Sequence, residues 1–324
     1  MAEGPDISPI LNLLEDARDA GRCAEAAAAL RVLSQLRPEN LQVKAALARA
    51  LFGAGLWQEA WDAYEVRFDL MPEVFTKVTR PGPNGPEAMP IWRGGALPES
   101  LLVMGEQGLG DTIQFARFLP MLRARGVRVH AVLDPRVMKL LAPVLEGIDA
   151  RPGGEAGRIH GVKAWLPLLN LPRALGLRPQ YYQGRIPYLA AEPERVARWR
   201  QRIGDQGFRI GIVWQGNPKA PVDRNRSVPL AVFAPIAALR GARLFALQKG
   251  PGEDTEAPFA LDRLGPEMDN GPDWFLDTAA AIMASLLARE AWAAPMLRGL
   301  TRSLPRPPES PTSAHAPHSE AARG

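Results

Sequence analysis

Along residues 8–76 small and apolar positions recur at helical spacing, and the whole pattern then repeats. The stretch "GRCAEAAAALRVLSQLRPEN" at 21–40 is echoed by "GLWQEAWDAYEVRFDLMPEV" at 55–74. Gly21 aligns with Gly55, Glu25 with Glu59, Ala26 with Ala60, Ala29 with Ala63, Leu36 with Leu70, and Pro38-Glu39 with Pro72-Glu73, each pair 34 residues apart. A glycine turns the chain between helices, alanines let helices approach closely, and proline stops the second helix. Ala26, Ala29, Ala60 and Ala63 are therefore expected at helix–helix contacts. Two such units fall short of the roughly three that a free-standing array needs, so this module should lean on the part of the chain after it.

The period then changes. "TRPGPNGPEAMP" at 79–90 reads as a proline- and glycine-rich connector. "SLLVMG" is a short apolar strand, and "DTIQFARFLPMLRARG" is a helix with Ile113, Ala116, Leu119 and Leu122 on one stripe and a kink at Pro120. "VRVHAVL" is a second strand, "PRVMKLLAPVLEG" a second helix and "KAWLPLL" a third strand. Such alternation predicts a parallel sheet with right-handed crossovers. After a connecting helix, "EPERVARWRQRIG", the pattern restarts with strand "FRIGIVWQG", helix "LAVFAPIAALRG" and strand "ARLFALQKG". One more strand is expected near "DRLGPEMD", followed by a helix from "DTAAAIMASLLAREA".

These readings divide the chain into helical repeats at 8–76, a linker at 77–98, a first α/β domain at 99–191, a connecting helix at 192–207, a partial second α/β domain at 208–300 and a disordered tail at 301–324. The tail is rich in Pro, Ser, Ala and His and has little to bury. His130 alternates within an apolar strand and reads as structural, and Trp92, Trp165, Trp199 and Trp214 read as core.

Composition narrows the function classes. Of 324 residues, 46% are hydrophobic and 23% charged, as in ordinary soluble proteins. A net charge of +4 without a Lys/Arg block argues against a nucleic-acid partner. With Cys23 as its one cysteine, the chain forms no internal disulfide. The first residues lack the pattern of a signal peptide and no apolar run is long enough to span a membrane, so a cytoplasmic location is expected. No H-E-x-x-H, cysteine cluster or G-x-S-x-G occurs, so neither a metal site nor a nucleophile elbow is expected.

Three loops carry candidate chemistry, each following a strand, where open sheets bind ligands. The first is "GEQGLGD", with Gly105, Gly108, Gly110 and Asp111. Its order is neither G-x-G-x-x-G nor a P-loop. It suits an anion approaching backbone N–H groups at a helix N-terminus, and it equally suits a tight turn capped by Asp111. The second, "WQGNPKAPVDRNRSVPL", offers Lys219, Arg224 and Arg226 to phosphate, or is a solvated basic loop. The third, "LQKGPGED", puts Lys249 beside two glycines, as a nucleotide cleft or an exposed turn would.

The 34-residue period resembles that of tetratricopeptide repeats. Followed by "MPIWRGG", "GEQGLGDTIQFARFLP", "LPLLNLP", "IPYLAAEPERVARW", "IGIVWQGNP", "DRNRSVPL", "LQKG" and "LDTAAAIMASL", it resembles bacterial repeat-containing glycosyltransferases. Their catalytic part is similar to the heptosyltransferase (family 9) and O-linked N-acetylglucosamine transferase type, and the resemblance runs from about Leu14 to Leu286.

It implies an α/β, GT-B-like fold of two Rossmann-like domains behind an N-terminal all-α repeat module. It also implies a nucleotide-sugar substrate, no metal or other cofactor, and a protein partner or acceptor on the repeats. By the resemblance Asp111 is the general base, with Gln107, Gly108 and Gly110 shaping the acceptor-side loop. Asn217, Arg226, Ser227, Gln248, Lys249, Asp277 and Thr278 match donor-binding positions. Such proteins continue past the last motif with a D-T/S-x-x-x-H-L-A-G-A-type loop that grips the donor diphosphate. "LAREAWAAPMLRGLTRSLPRPPES" stands in its place, so the second domain reads as incomplete and donor binding as weak. The alternative is a non-catalytic, repeat-mediated protein-binding protein with a degenerate glycosyltransferase fold. An NAD(P)-linked oxidoreductase is the weakest reading, since the glycine order is wrong for it.

Overall fold

The structure is a computed structural model. It describes residues 6–75, 78–82, 84–106, 108–153, 159, 161–178, 187–219, 227–272 and 274–286. The tail expected at 301–324 lies outside them, as do Gln107, Arg224 and Arg226. The fold is α/β with an N-terminal helical region.

That region comprises α1 (Ser8–Asp19), α2 (Cys23–Leu36), α3 (Leu41–Gly53), α4 (Trp57–Tyr64), α5 (Arg67–Leu70) and α6 (Pro72–Phe75). Its backbone repeats the sequence period. Gly21 and Gly55 turn the chain at φ +81° and +74°, a left-handed conformation that glycine adopts without a Cβ penalty. Arg22 N–H donates to Ala17 O at 2.9 Å, and Leu56 N–H donates to Leu51 O at 3.0 Å, 34 residues later. Ala26 and Ala60 are fully buried in the core shared by α1–α4, and Ala63 packs against it. Ala29 does not: it is exposed, and Ala27 is buried instead. The inward stripe of α2 is Ala26, Ala27 and Leu30, so Ala29 falls on the outer face. Cys23 abuts α3 so closely that a Cβ on Gly53 would lie 2.6 Å from its Sγ.

The connector at 79–90 is more ordered than a linker. β1 (Thr79–Gly82) and β2 (Gly85–Ala88) form an antiparallel ribbon with Pro81 opposite Pro86. A two-stranded ribbon consists of edges, where proline is tolerated.

The first sheet has the order β5-β4-β3-β6, all parallel. Its strands are β3 (Ser100–Met104), β4 (Arg128–Leu133), β5 (Asp149–Pro152) and β6 (Trp165–Pro167). β5 is not predicted from the sequence because Asp149 and Arg151 give it no apolar alternation, as befits a half-exposed edge. The helix expected to kink at Pro120 is two, α7 (Leu109–Ala116) and α8 (Leu119–Ala124). The next is also divided, into α9 (Pro135–Met138) and α10 (Ala142–Leu145), with Pro143 in the first turn of α10. α11 (Leu171–Ala174) follows β6 through a 3₁₀ turn, Leu168–Asn170. The core includes Leu101, Val103, Leu119, Leu122, Leu166 and Leu168, none more than 1% exposed.

α12 (Pro193–Ile203) leads to the second parallel sheet, β7-β8-β9. Its strands are β7 (Phe208–Ile212), β8 (Ala242–Ala246) and β9 (Leu261–Arg263), the last overlapping only the start of "DRLGPEMD", near which a strand is expected. A 3₁₀ turn at Leu230–Phe233 and α13 (Ala234–Ala237) cover one face; α12 and α14 (Leu276–Leu286) cover the other. Ala280, Ala281 and Ala284 of α14 are buried against Trp199 and Ile203. Trp92, Trp165, Trp199 and Trp214 are all buried, and His130 pairs with Asp149 across the first sheet at 2.9 Å.

Candidate functional site

The described parts of the three candidate loops lie at the carboxyl ends of parallel strands, the first on the first sheet and the other two on the second. In the first loop Gly108 is the N-cap of α7 and Asp111 its third residue. One Asp111 carboxylate oxygen accepts the Gly108 N–H at 3.3 Å, the reaching-back half of a capping box. Asp111 is half-buried, and Thr112 behind it is buried with its hydroxyl on Gly108 O.

None of the loop glycines is required by the fold. Gly105, Gly108 and Gly110 all avoid the left-handed region. A Cβ on Gly110 would meet nothing within 4 Å, and one on Gly105 or Gly108 would make only ordinary contacts. Their smallness leaves open space above the start of α7, where backbone N–H groups and the helix dipole favour negative charge.

Glu106, in the same loop, is a residue that sequence reasoning misses. Its carboxylate receives Arg67 Nη2 of α5 at 2.9 Å and the Leu169 N–H at 3.3 Å. Arg67 also donates to Asn170 Oδ1, and Asn170 donates to Glu65 at 2.5 Å. Arg67 and Asn170 are 4% and 3% exposed, so this network is interior. No local signal announces it, because Arg67 and Glu106 stand 39 residues apart.

On the second sheet most expected donor residues hold protein. Gln248 is buried, and its side-chain oxygen accepts Trp214 N–H at 3.1 Å and Gln215 N–H at 3.0 Å. Its amide donates to Gln215 O at 2.9 Å and Pro251 O at 2.8 Å. Gln248 therefore staples the loop after β7 to the loop after β8. Lys249 Nζ pairs with Glu253 at 2.8 Å, and that contact, working against burial, holds the Glu253 carboxyl below its ordinary value. Asn217 accepts the Lys219 N–H at 3.0 Å in a local turn, and Ser227 Oγ accepts the Gly216 N–H at 2.9 Å.

Asp277 is another hub. Its Oδ1 accepts Trp199 Nε1 at 2.8 Å, Arg195 Nη1 at 3.0 Å and Arg198 Nη2. Burial works to raise its pKa; hydrogen bonds from Trp199 and Arg195 outweigh it and leave the carboxyl below its ordinary value. Asp269, at φ +50°, caps α14 by accepting Asp277 N–H at 2.8 Å and the Thr278 hydroxyl at 2.5 Å. Asp277 and Thr278 thus sit at the start of α14, among different partners from the Asn217–Ser227–Gln248–Lys249 group. A cavity of about 220 Å³ opens at the carboxyl ends of β8 and β9, lined in part by Gln248, Glu253, Asp254, Arg263 and Met268.

The two sheet units touch at the start of α14. Arg136 lies 4.9 Å over the Trp274 ring, and Phe275, at φ +68°, packs against the first core.

The chain is similar to Protein FlbA of Caulobacter vibrioides (strain ATCC 19089 / CIP 103742 / CB 15). The two are 29% identical over 292 residues, 81% of this chain and 46% of that protein. The chain therefore spans about half the length of that curated relative. No family model matches, and no solved structure matches. Among the described residues no group of three or more His, Cys, Asp or Glu could hold a metal ion, and no helix is long and apolar enough to cross a membrane.

Proposed function

We propose that this chain carries the acceptor side and part of the nucleotide-sugar side of a metal-independent glycosyltransferase of GT-B-like arrangement. The observation that carries the reading is the glycine loop: its glycines answer no demand of the fold and leave open the start of α7, beside a half-buried Asp111. In this reading Asp111 takes the proton of the acceptor hydroxyl as that oxygen attacks the sugar carbon, whose bond to the diphosphate oxygen breaks and releases the nucleoside diphosphate. The cavity at β8 and β9 receives the nucleotide, with Gln248 holding its floor in shape rather than gripping the ligand.

Calorimetric titration of the chain with UDP-, GDP- and ADP-sugars tests the reading. Saturable binding of one donor, and transfer reduced about a hundredfold by Asp111→Asn in a folded protein, support it. Binding of none, with Asp111→Asn behaving as a neutral cap replacement, sinks it.

A second reading is a non-catalytic protein-binding protein. It is favoured by the protein partners already held by Gln248, Lys249, Asp277 and Thr278. A groove of about 340 Å³ on the helical region, lined in part by Lys44, Leu47, Asp62, Glu65 and Asp69, would be its contact surface.

A further inference from the structure

The Glu106 carboxylate stands in a glycine loop, five residues before Asp111, yet it faces the protein interior. It is held by one arginine from another part of the chain. Arg67 reaches it with Nη2 at 2.9 Å and Nε at 3.4 Å, and the pair's side chains are 5% and 10% exposed. The guanidinium is enclosed by aromatic faces, at 4.5 Å from the Tyr64 ring centre, 4.7 Å from Phe68 and 5.5 Å from Phe75. The same carboxylate accepts the Leu169 N–H, and the same guanidinium meets Asn170, both in the turn after β6. One buried ion pair therefore joins three elements: the helical region, the glycine loop after β3 and the turn after β6.

We propose that Arg67 is a positioning residue for the glycine loop, so that the helical region and the loop open and close as one cooperative unit. A buried charge that loses its partner is strongly unfavourable. The loop cannot move outward while α5 stays in place without leaving the buried Arg67 guanidinium with the neutral acceptors Asn170 Oδ1 and Tyr64 O in place of the Glu106 carboxylate. Trp61 of α4, edge-on to Phe115 of α7 at 5.7 Å, adds a second contact between the same two parts. The helical region is then a built-in wall of the site and not a tethered recognition module.

Hydrogen exchange on the full chain, under conditions far from unfolding, tests this without any donor or acceptor. The result is therefore independent of the transfer reaction proposed above. Arg67→Met is expected to speed exchange at the hydrogen-bonded loop amides of Gly108 and Thr112 and at Leu169 by at least about tenfold while the β4 amides Val129–Val132 are unmoved. Glu106→Leu should do the same. The double variant should be no worse than either single, since no lone charge remains buried.

Should a single variant fail to fold, Glu106→Gln keeps the side chain's shape and removes only its charge; faster loop exchange is expected there too. Wild-type loop protection in the folded variants, uniform acceleration across loop and β4 alike, or effects that simply add in the double variant would each overturn the proposal.

Discussion

The carboxyl edges of the two sheets solve one problem in opposite ways. On the first, the loop after β3 is held from outside, by Arg67 of the helical region on Glu106. On the second, the loops are held by one another, through Gln248 across β7 and β8 and through Asp269 and Asp277 at the start of α14. The difference separates residues that resemble ligand-binding groups from residues with spare hydrogen-bonding capacity. Gln248 is saturated by backbone partners, whereas among the described residues Asp111 accepts one long bond, at 3.3 Å.

The largest test of this contrast is Asp277→Ala. It strands a buried indole N–H and takes away a carboxylate shared by Arg195 and Arg198, so it should destabilise the protein by about 3 kcal/mol in denaturant titration. Acid sharpens the same test. The Asp277 pKa is lowered from 3.8, so its contribution is complete above that value and is lost as pH falls through the lowered one. The gap between wild type and Asp277→Ala should accordingly be constant from neutrality to about pH 5 and shrink below pH 4. A gap that persists at low pH would remove the carboxylate from the hub.

Next comes Gln248→Leu, which leaves two loop N–H groups unpaired and should cost about 2 kcal/mol. If its melting curve matches wild type, Gln248 is no staple and becomes a ligand contact again. In the helical region Ala60→Leu overpacks a fully buried contact and should cost about 1.5 kcal/mol, while Ala29→Leu on the outer face should be near neutral. Equal effects at the two alanines would contradict this register. Asp111→Asn should likewise change stability by less than about 0.5 kcal/mol, because Asp111 is the third residue of α7 and an Asn side-chain oxygen can accept the same long bond from Gly108 N–H. A large loss of stability would make Asp111 part of the scaffold and erase the contrast between the edges.

How far these features can be read in the sequence depends on how local their causes are. The 34-residue repeat, the apolar strands β3, β4, β7 and β8 and the helix α12 follow from spacing within a short window. β5 does not, because its residues carry no apolar alternation, and the β1–β2 ribbon does not, because the prolines around the Asn84-Gly85 pair read as a connector. Ala29 illustrates a finer limit: aligned repeats show that a position recurs, and the turn of the helix then decides which face it takes. The candidate loops are visible as loops, but the direction of each side chain is not. Asp277 is tied to Trp199, 78 residues before it, and Gln248 to Trp214, 34 residues before it, so nothing nearby in the chain marks either as a strut.

Cys23 has one more consequence. It is the chain's single thiol, half-buried where the start of α2 meets the end of α3. Any reagent that tags thiols will therefore report from one known seam without engineering a background. Its labelling rate is a natural clock for how often the two helical repeats part, and it can be read in the same tube as donor titration or loop exchange. A clock that slows when a ligand binds at the distant sheet edge would reveal communication along the whole length of the helical region.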